Sequence, residues 1–411
     1  MGRGYWYLWA ASAVSTTGDG AFNAALPLLA VTITRDARLV AVVTAAMFLP
    51  WMLLSLPAGA LVDRYDRATL MWRAQLVQFA AVGVVTLLVL FRHADIVELG
   101  IAAFCLGSAE VVFSNSAQAI LPQLVPASLI SKANGTQFAV QTAGEQFFGP
   151  PLGSLLFAAS AALPFGLDAA SFAGSAGLLA RLPRRAAPVA PAGAETIGAQ
   201  TISAQTISAQ TISAQIGEGL RWLFGHRLLR VVAVMLGIGN FSYQMGQAVL
   251  VLFATQTLHF SARGYGLLLA AAAVGSVVGG LVNPAITKRL GLLASLLSSM
   301  AVLGILVAAI GFAPDAIVIA ALMALEGFAT TMWNIVTVSL RQTVVPAELL
   351  GRVNSVYRML GWGLMPLGAL TGGFVAHAYG LRAPYIVAGV LTVGTLIAVT
   401  PALVRHRGLA E

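Results

Sequence analysis

Hydrophobic residues run along this chain in long blocks, and the breaks between them are short and polar. Twelve blocks are long enough for helical spans, at 5–32, 39–61, 70–91, 97–121, 134–159, 163–181, 228–257, 265–286, 291–312, 315–340, 353–378 and 383–404. A helix crossing the hydrocarbon core needs ~20 residues. The blocks lack the apolar/polar alternation of a membrane barrel. They predict an all-α membrane protein of twelve transmembrane helices. Composition agrees, since 58% of the 411 residues are hydrophobic and only 9% are charged, against about 25% charged in a soluble domain. A soluble globule must face water with part of its surface and could not hide this much apolar area. A soluble enzyme is therefore excluded. The first block shows no cleavage site and Trp6 breaks the myristoylation pattern, so it reads as a retained span.

The net charge of +8 comes from 23 basic and 15 acidic residues. If both termini are cytoplasmic, 18 of the basic residues fall in inner loops and tails. Arg35, Arg38, Arg92, Arg263 and Arg382 remain outside. This is the positive-inside bias. It predicts a multi-pass protein of the cell membrane, with the lipid bilayer and not nucleic acid as the partner of its basic surface. Cys105 is the single cysteine, so no intrachain disulfide forms.

The one long interruption, 182–227, divides the chain into 1–181 and 228–411. It opens with Pro183-Arg184-Arg185. It then carries Thr196-Ile-Gly-Ala-Gln200 and three copies of Thr-Ile-Ser-Ala-Gln ending at Gln215. A five-residue period fits neither helix nor strand, and by composition this is a flexible cytoplasmic linker. In 216–227, Ile216, Leu220, Leu223 and Phe224 share a helical face beside Arg221 and Arg227. That pattern suits a short interfacial helix, or else an early start of the seventh span. The parts on either side are related. Gly59-Ala-Leu-Val-Asp63 matches Gly279-Gly-Leu-Val-Asn283, and Val125–Asn134 matches Val345–Asn354, both at an offset of 220. Two pseudo-symmetric six-helix bundles follow, and repeat-built carriers bind substrate between their halves near the midplane.

Several chemistries are absent. Lys132 and Lys288 follow Ser131 and Thr287, so no phosphate-binding Gly-Lys loop exists. No Ser follows a Gly at the hydrolase spacing. The five histidines are scattered, without metal-ligand spacing. The chain reads as no enzyme, with no cofactor and no metal.

The loop after the second span, Gly59-Ala60-Leu61-Val62-Asp63-Arg64-Tyr65-Asp66-Arg67, resembles the signature loop of the major facilitator superfamily, Gly-x-Leu-x-Asp-Arg/Lys-x-Gly-Arg-Arg/Lys. It departs at Asp66 and Ala68. The Asp-Arg form, with Leu121-Pro122, Gly149-Pro150-Pro-Leu-Gly153 and Asp168-Ala-Ala-Ser-Phe172, is similar to the branch of macrolide exporters and the enterobactin exporter. The resemblance covers the chain except 186–215 and implies the major facilitator fold and secondary transport. Gly59, Asp63, Arg64 and Arg67 are then a conformational latch, with Asp63 able to face a helix N-terminus. Gly149, Pro150 and Gly153 resemble the antiporter signature, in which small residues allow close helix approach and Pro bends the helix. That favours export.

Four carboxylates fall near mid-span: Asp19, Glu110, Glu326 and Glu145, ordered by promise as proton carriers. Asp19 lies ~21 Å along its helix at 1.5 Å per residue. A charge at the bilayer centre costs at least ~2.5 kcal/mol, so such groups face a cavity or a partner. Asp168, at the start of the sixth span, reads instead as a helix N-cap. Asn23, Asn115, Gln137, Gln141, Gln244, Gln247, Asn334 and Arg358 are candidate cavity residues, walled by Phe22, Tyr243, Trp333 and Trp362. The expectation is a monomeric proton-coupled exporter of amphipathic small molecules or drugs. A siderophore or metabolite exporter is a second reading, and a receptor or lipid-handling protein on the same scaffold a third.

Overall fold

The computed structural model describes residues 1–182, 221, 225–345, 357 and 359–404. All regular structure among them is helical. In the first half come α1 (Arg3–Ile33), α2 (Ala37–Arg64), α3 (Arg67–Leu90) and α4 (Ile96–Leu124). Then α5 (Ile130–Thr142), a π-helical segment (Ala143–Phe148) and α6 (Gly149–Ala159) run on as one rod, followed by α7 (Leu163–Leu179). The second half holds α8 (Arg227–Gln247), α9 (Ala262–Leu290), α10 (Leu292–Phe312), α11 (Ala316–Val344), α12 (Met365–Tyr379) and α13 (Ala383–Val404). The repeat tract, the proposed interfacial helix apart from its last residues, the loop at Pro346–Asn354 and Arg358 lie outside the described residues.

Nine described helical stretches are long and apolar enough to cross a membrane. The other three hydrophobic blocks are helical too. Ser12, Ser15, Thr16, Thr17, Asp19 and Asn23 make α1 polar in its middle, the α5–α6 rod is divided by its π segment, and α7 has 17 residues. Aspartates start several helices. Asp36, Asp66 and Asp315 accept from backbone N–H groups in the following turn, and Asp95 forms a capping box with Glu98. Asp66, the departure from the family loop, therefore caps α3. Leu267, Leu281, Ile317 and Ile397 stand outward and more than two-thirds exposed, as a lipid-facing surface requires.

Within each half the first and fifth helical segments are pressed together. Gly149 and Gly153 of α6 lie on Gly20 and Ala21 of α1. Gly368 and Gly372 of α12 lie in the same way on Phe241 and Met245 of α8. A Cβ at any of these glycines would collide with backbone. A tyrosine hydroxyl clasps each pair: Tyr5 donates to Ala133 O (3.2 Å), and Tyr357 donates to Leu229 O (2.6 Å).

The core is shared at one end of the molecule and divided at the other. At the end far from Arg3 and Arg64, Phe22, Leu29, Val43 and Phe165 of the first half cluster with Val249–Phe253, Tyr265, Ile310 and Tyr385 of the second. Gly373 of α12 sits on Ala37 and Ala41 of α2, and Gly266 of α9 sits on Ser154 of α6. At the basic end, Tyr5, Leu8, Met71 and Phe113 form one core, while Leu229, Met235, Trp333 and Tyr357 form another. The halves are closed together at the far end and packed separately at the basic end.

Candidate functional site

A cavity of ≈ 600 Å³ occupies the space beneath the shared core. It runs from Arg341 and Tyr357, near the basic end, to Glu326 and Val307. Most of its wall comes from the second half. On α11, Glu326, Thr330 and Asn334 recur every four residues and so line one helix face. Asn240, Ser242, Tyr243 and Gln247 come from α8, with Trp333 and Trp362 as aromatic walls. The first half supplies Glu145, Gln146 and Pro150. Two of the sequence-predicted acids, Glu145 and Glu326, thus open on the same space. Trp362 also stacks across the halves on Trp51 of α2, with ring centroids 4.7 Å apart.

Glu326 is 7% exposed and marks the deep end. A narrower extension there is lined by Tyr243, Gln247, Glu326 and Tyr385. The Tyr385 hydroxyl is buried with no hydrogen-bond partner. At the other end, the Arg341 Nε–H donates to Thr337 O (3.2 Å), and the guanidinium lies over the Tyr357 ring at 4.7 Å. An acid and a base therefore bracket a mostly aromatic and apolar wall, a chemistry suited to amphipathic molecules with a polar or charged group.

The other two predicted acids lie within the first half. Ser15 Oγ donates to Asp19 Oδ2 (3.2 Å), and Gln78 Nε2 donates to Glu110 Oε2 (3.2 Å). Neither acid lines the cavity. Asp168 corrects the sequence reading: Ala162 precedes α7, and Asp168 lies inside that helix, 1% exposed, against Gly18 of α1.

Other candidates divide. Asn334, Tyr243, Gln247, Trp333 and Trp362 line the cavity, whereas Asn23, Asn115, Gln137, Gln141, Gln244 and Phe22 do not. Asn115 turns back on its own helix, donating to Val111 O (2.7 Å). Gln137 donates to Ser12 Oγ and ties α5 to α1. Phe22 packs edge-on against Phe165 in the far-end core. In the loop after α2, a Cβ on Gly59 would meet nothing within 4 Å. Arg64 is exposed, Arg67 is half-buried, and the Asp63 side chain lies outside the described residues. The sequence reading missed Arg341, assigned to a loop though it closes the last turn of α11. It also missed Tyr385 and Thr330, ordinary residue types for a span.

An all-helical membrane protein with a cavity between its halves, bracketed by an acid and a base, has the build of a membrane transporter. The chain belongs to the transmembrane secretion effector family of major facilitator transporters, whose match covers residues 3–408. It is 25% identical to the multidrug efflux pump Tap of Mycolicibacterium fortuitum over 92% of this chain and 90% of that protein. It is 21% identical to macrolide efflux protein A of Streptococcus pyogenes over 95% and 93%. The fold is similar to that of the nucleoside transporter NupG (TM-score 0.75, 13% identity, 99% of this chain and 100% of that chain). It is also similar to that of a bacterial homologue of the iron transporter ferroportin (TM-score 0.70, 15% identity, 96% and 98%).

Proposed function

We propose that this protein is a proton-coupled antiporter that exports amphipathic small molecules, drugs among them, across the cytoplasmic membrane. The observation that carries this reading is the ≈ 600 Å³ cavity onto which Glu145 and Glu326 both open. Efflux pumps among the relatives support the direction of transport. In this reading the chain is a monomer of twelve spans in two six-helix bundles, 1–181 and 228–411, joined by a cytoplasmic linker. The basic end and both termini face the cytoplasm, as the positive-inside rule requires.

The divided core at the basic end and the shared core at the far end then describe a carrier open to the cytoplasm. Substrate enters past Arg341 and settles its apolar body on Trp333 and Trp362 and its polar group toward Glu326. Binding displaces a proton from a carboxyl. The halves rock about the α2–α12 and α6–α9 contacts, and substrate leaves outward. A proton entering from outside resets the carboxyl, so one proton moves in as one substrate moves out. Gly59, Asp63, Arg64 and Arg67 hold the cytoplasmic faces together when the carrier faces outward. Gly149, Pro150 and Gly153 keep α6 against α1 and limit leak.

The test is a drug-sensitivity panel in an efflux-deficient host, with and without an uncoupler. Expression raises resistance to at least one amphipathic drug, and the uncoupler abolishes the gain. Binding of such drugs by purified protein without any flux would replace the exporter with a receptor.

A further inference from the structure

Among the described residues, Asp168 is the most enclosed acid of the first half. It is 1% exposed, and its Oδ2 is buried with no hydrogen-bond partner among the described residues. Among the described residues its side-chain partner is the Ser171 hydroxyl, 3.2 Å from Oδ1, and that hydroxyl also reaches Asp168 O at 2.8 Å. The carboxyl fills the place that a Cβ on Gly18 would take, which sets it beside Asp19 on α1. Asp19 follows Gly18 directly along α1. Its one hydroxyl donor is Ser15. The α3 face toward this group contributes Gln75 and Gln78, and Gln75 is spent on Ser15 Oγ (3.5 Å). Among the described residues no arginine, lysine or histidine forms an ion pair with Asp19 or Asp168.

Two carboxyls on packed helices, one fully buried and neither ion-paired, make charging both at once costly. A carboxyl oxygen buried without any partner is far costlier to hold charged than neutral. Glu145 connects this group to the cavity. Its backbone carbonyl lies 2.8 Å from where a Cβ on Gly20 would sit, one residue from Asp19. Its side chain opens on the cavity, and it belongs to a π-helical segment, a helix irregularity that recurs at functional sites.

We propose that Asp168 and Asp19 together form the proton-holding site of this carrier, and that Glu145 is the positioning residue through which that site senses the occupant of the cavity. The inference rests on the antiport reading but is separable from it. The pair holds one proton while the cavity is empty. A cation in the cavity pairs with Glu145, relieves its repulsion of Asp19, and lets the shared proton leave through Glu145 to the open basic end. Atoms and charge balance: one proton departs as one cation binds.

The test uses infrared spectroscopy on the full-length purified protein, with ethidium as the probe. The ligand-free wild type shows a protonated-carboxyl carbonyl band at neutral pH that weakens in Asp168→Asn and in Asp19→Asn. Ethidium reduces the band in wild type and leaves it unchanged in Glu145→Gln, each measured at an ethidium concentration that saturates that protein. Transport adds a second readout. Asp168→Asn loses gradient-driven ethidium accumulation at least tenfold while keeping ethidium–ethidium exchange, because the cavity is intact. If Asp168→Asn does not fold, the wild-type band with Asp19→Asn decides the matter alone. A wild-type band identical in Asp19→Asn and Asp168→Asn overturns the proposal, as does gradient-driven accumulation unchanged by either. A band that behaves as stated in a protein unable to move ethidium would leave the proton site standing and remove the antiport reading.

Discussion

Glu326 and Arg341 share a face of α11, 15 residues apart, which at 1.5 Å per residue sets them about 22 Å from one another. The acid sits deep among Tyr243, Gln247 and Tyr385, and the base sits where the cavity nears the basic end. Burial makes the acid worth much more to a cation than the same group in water. Glu326→Gln should cut export of a cationic drug by tenfold or more and leave a neutral drug of similar size within about twofold, read as initial efflux rates. Asp36, at the far end, behaves in the opposite way. It accepts from the Arg38 side chain and backbone N–H, which hold its carboxyl at about 2, and His377 of α12 lies 3.6 Å away. A lowered value means the contact is intact above the ordinary carboxylate range near ~4 and is lost only as pH falls toward 2. Asp36→Asn should therefore leave the shape of the pH–transport curve unchanged between about pH 5.5 and 8.5. Residue types foretold much of this scale and also its main error. A lone acid in an apolar span is conspicuous, so Asp19, Glu145 and Glu326 stood out in the sequence. Asp168 was misjudged because it lies in the second turn of α7 and not at its start, where Pro164 marks the first turn. Asn115 and Gln137 were as polar as Asn334, but only the helix rotation decides which of them meets the cavity.

The rod formed by α5, the π segment and α6 is the element on which the first half turns. Its glycines admit α1 to backbone contact, and its π segment presents Glu145. Gly153→Ala would drive a Cβ into Ala21, an overpacking that costs about 1–3 kcal/mol. Thermal unfolding in detergent should show a lowered midpoint for Gly153→Ala. Gly59→Ala, whose Cβ meets nothing within 4 Å, should unfold with wild type. Any transport loss in Gly59→Ala then points to the proposed latch and not to stability. The close fit of Gly149 and Gly153 on α1 was suggested by their motif. Its counterpart, Gly368 and Gly372 on α8, was equally present in the sequence but carried no flanking proline pair to mark it. The structure reveals it because the two sites do the same physical work.

At the scale of the whole molecule, hydrophobic blocks and basic loops foretold the helices closely, since bilayer thickness and charge leave few alternatives. They could not foretell which end is closed. That depends on the shared core of Phe22, Val43, Phe165, Phe253 and Tyr385, and on Gly373 meeting Ala37 and Ala41, contacts between residues hundreds of positions apart in the chain. A cavity under such a lid, open toward the basic end, suits a carrier waiting for cytoplasmic substrate. In the antiport proposed above, its work comes from the proton gradient. The direct measurement is ethidium uptake by purified protein in proteoliposomes, with a proton gradient imposed across the membrane and no other energy source. An acid interior should drive ethidium accumulation through protein inserted with its basic end outward, and a proton–potassium exchanger should collapse it. Accumulation that ignores the gradient, or none from any imposed gradient, would contradict the account.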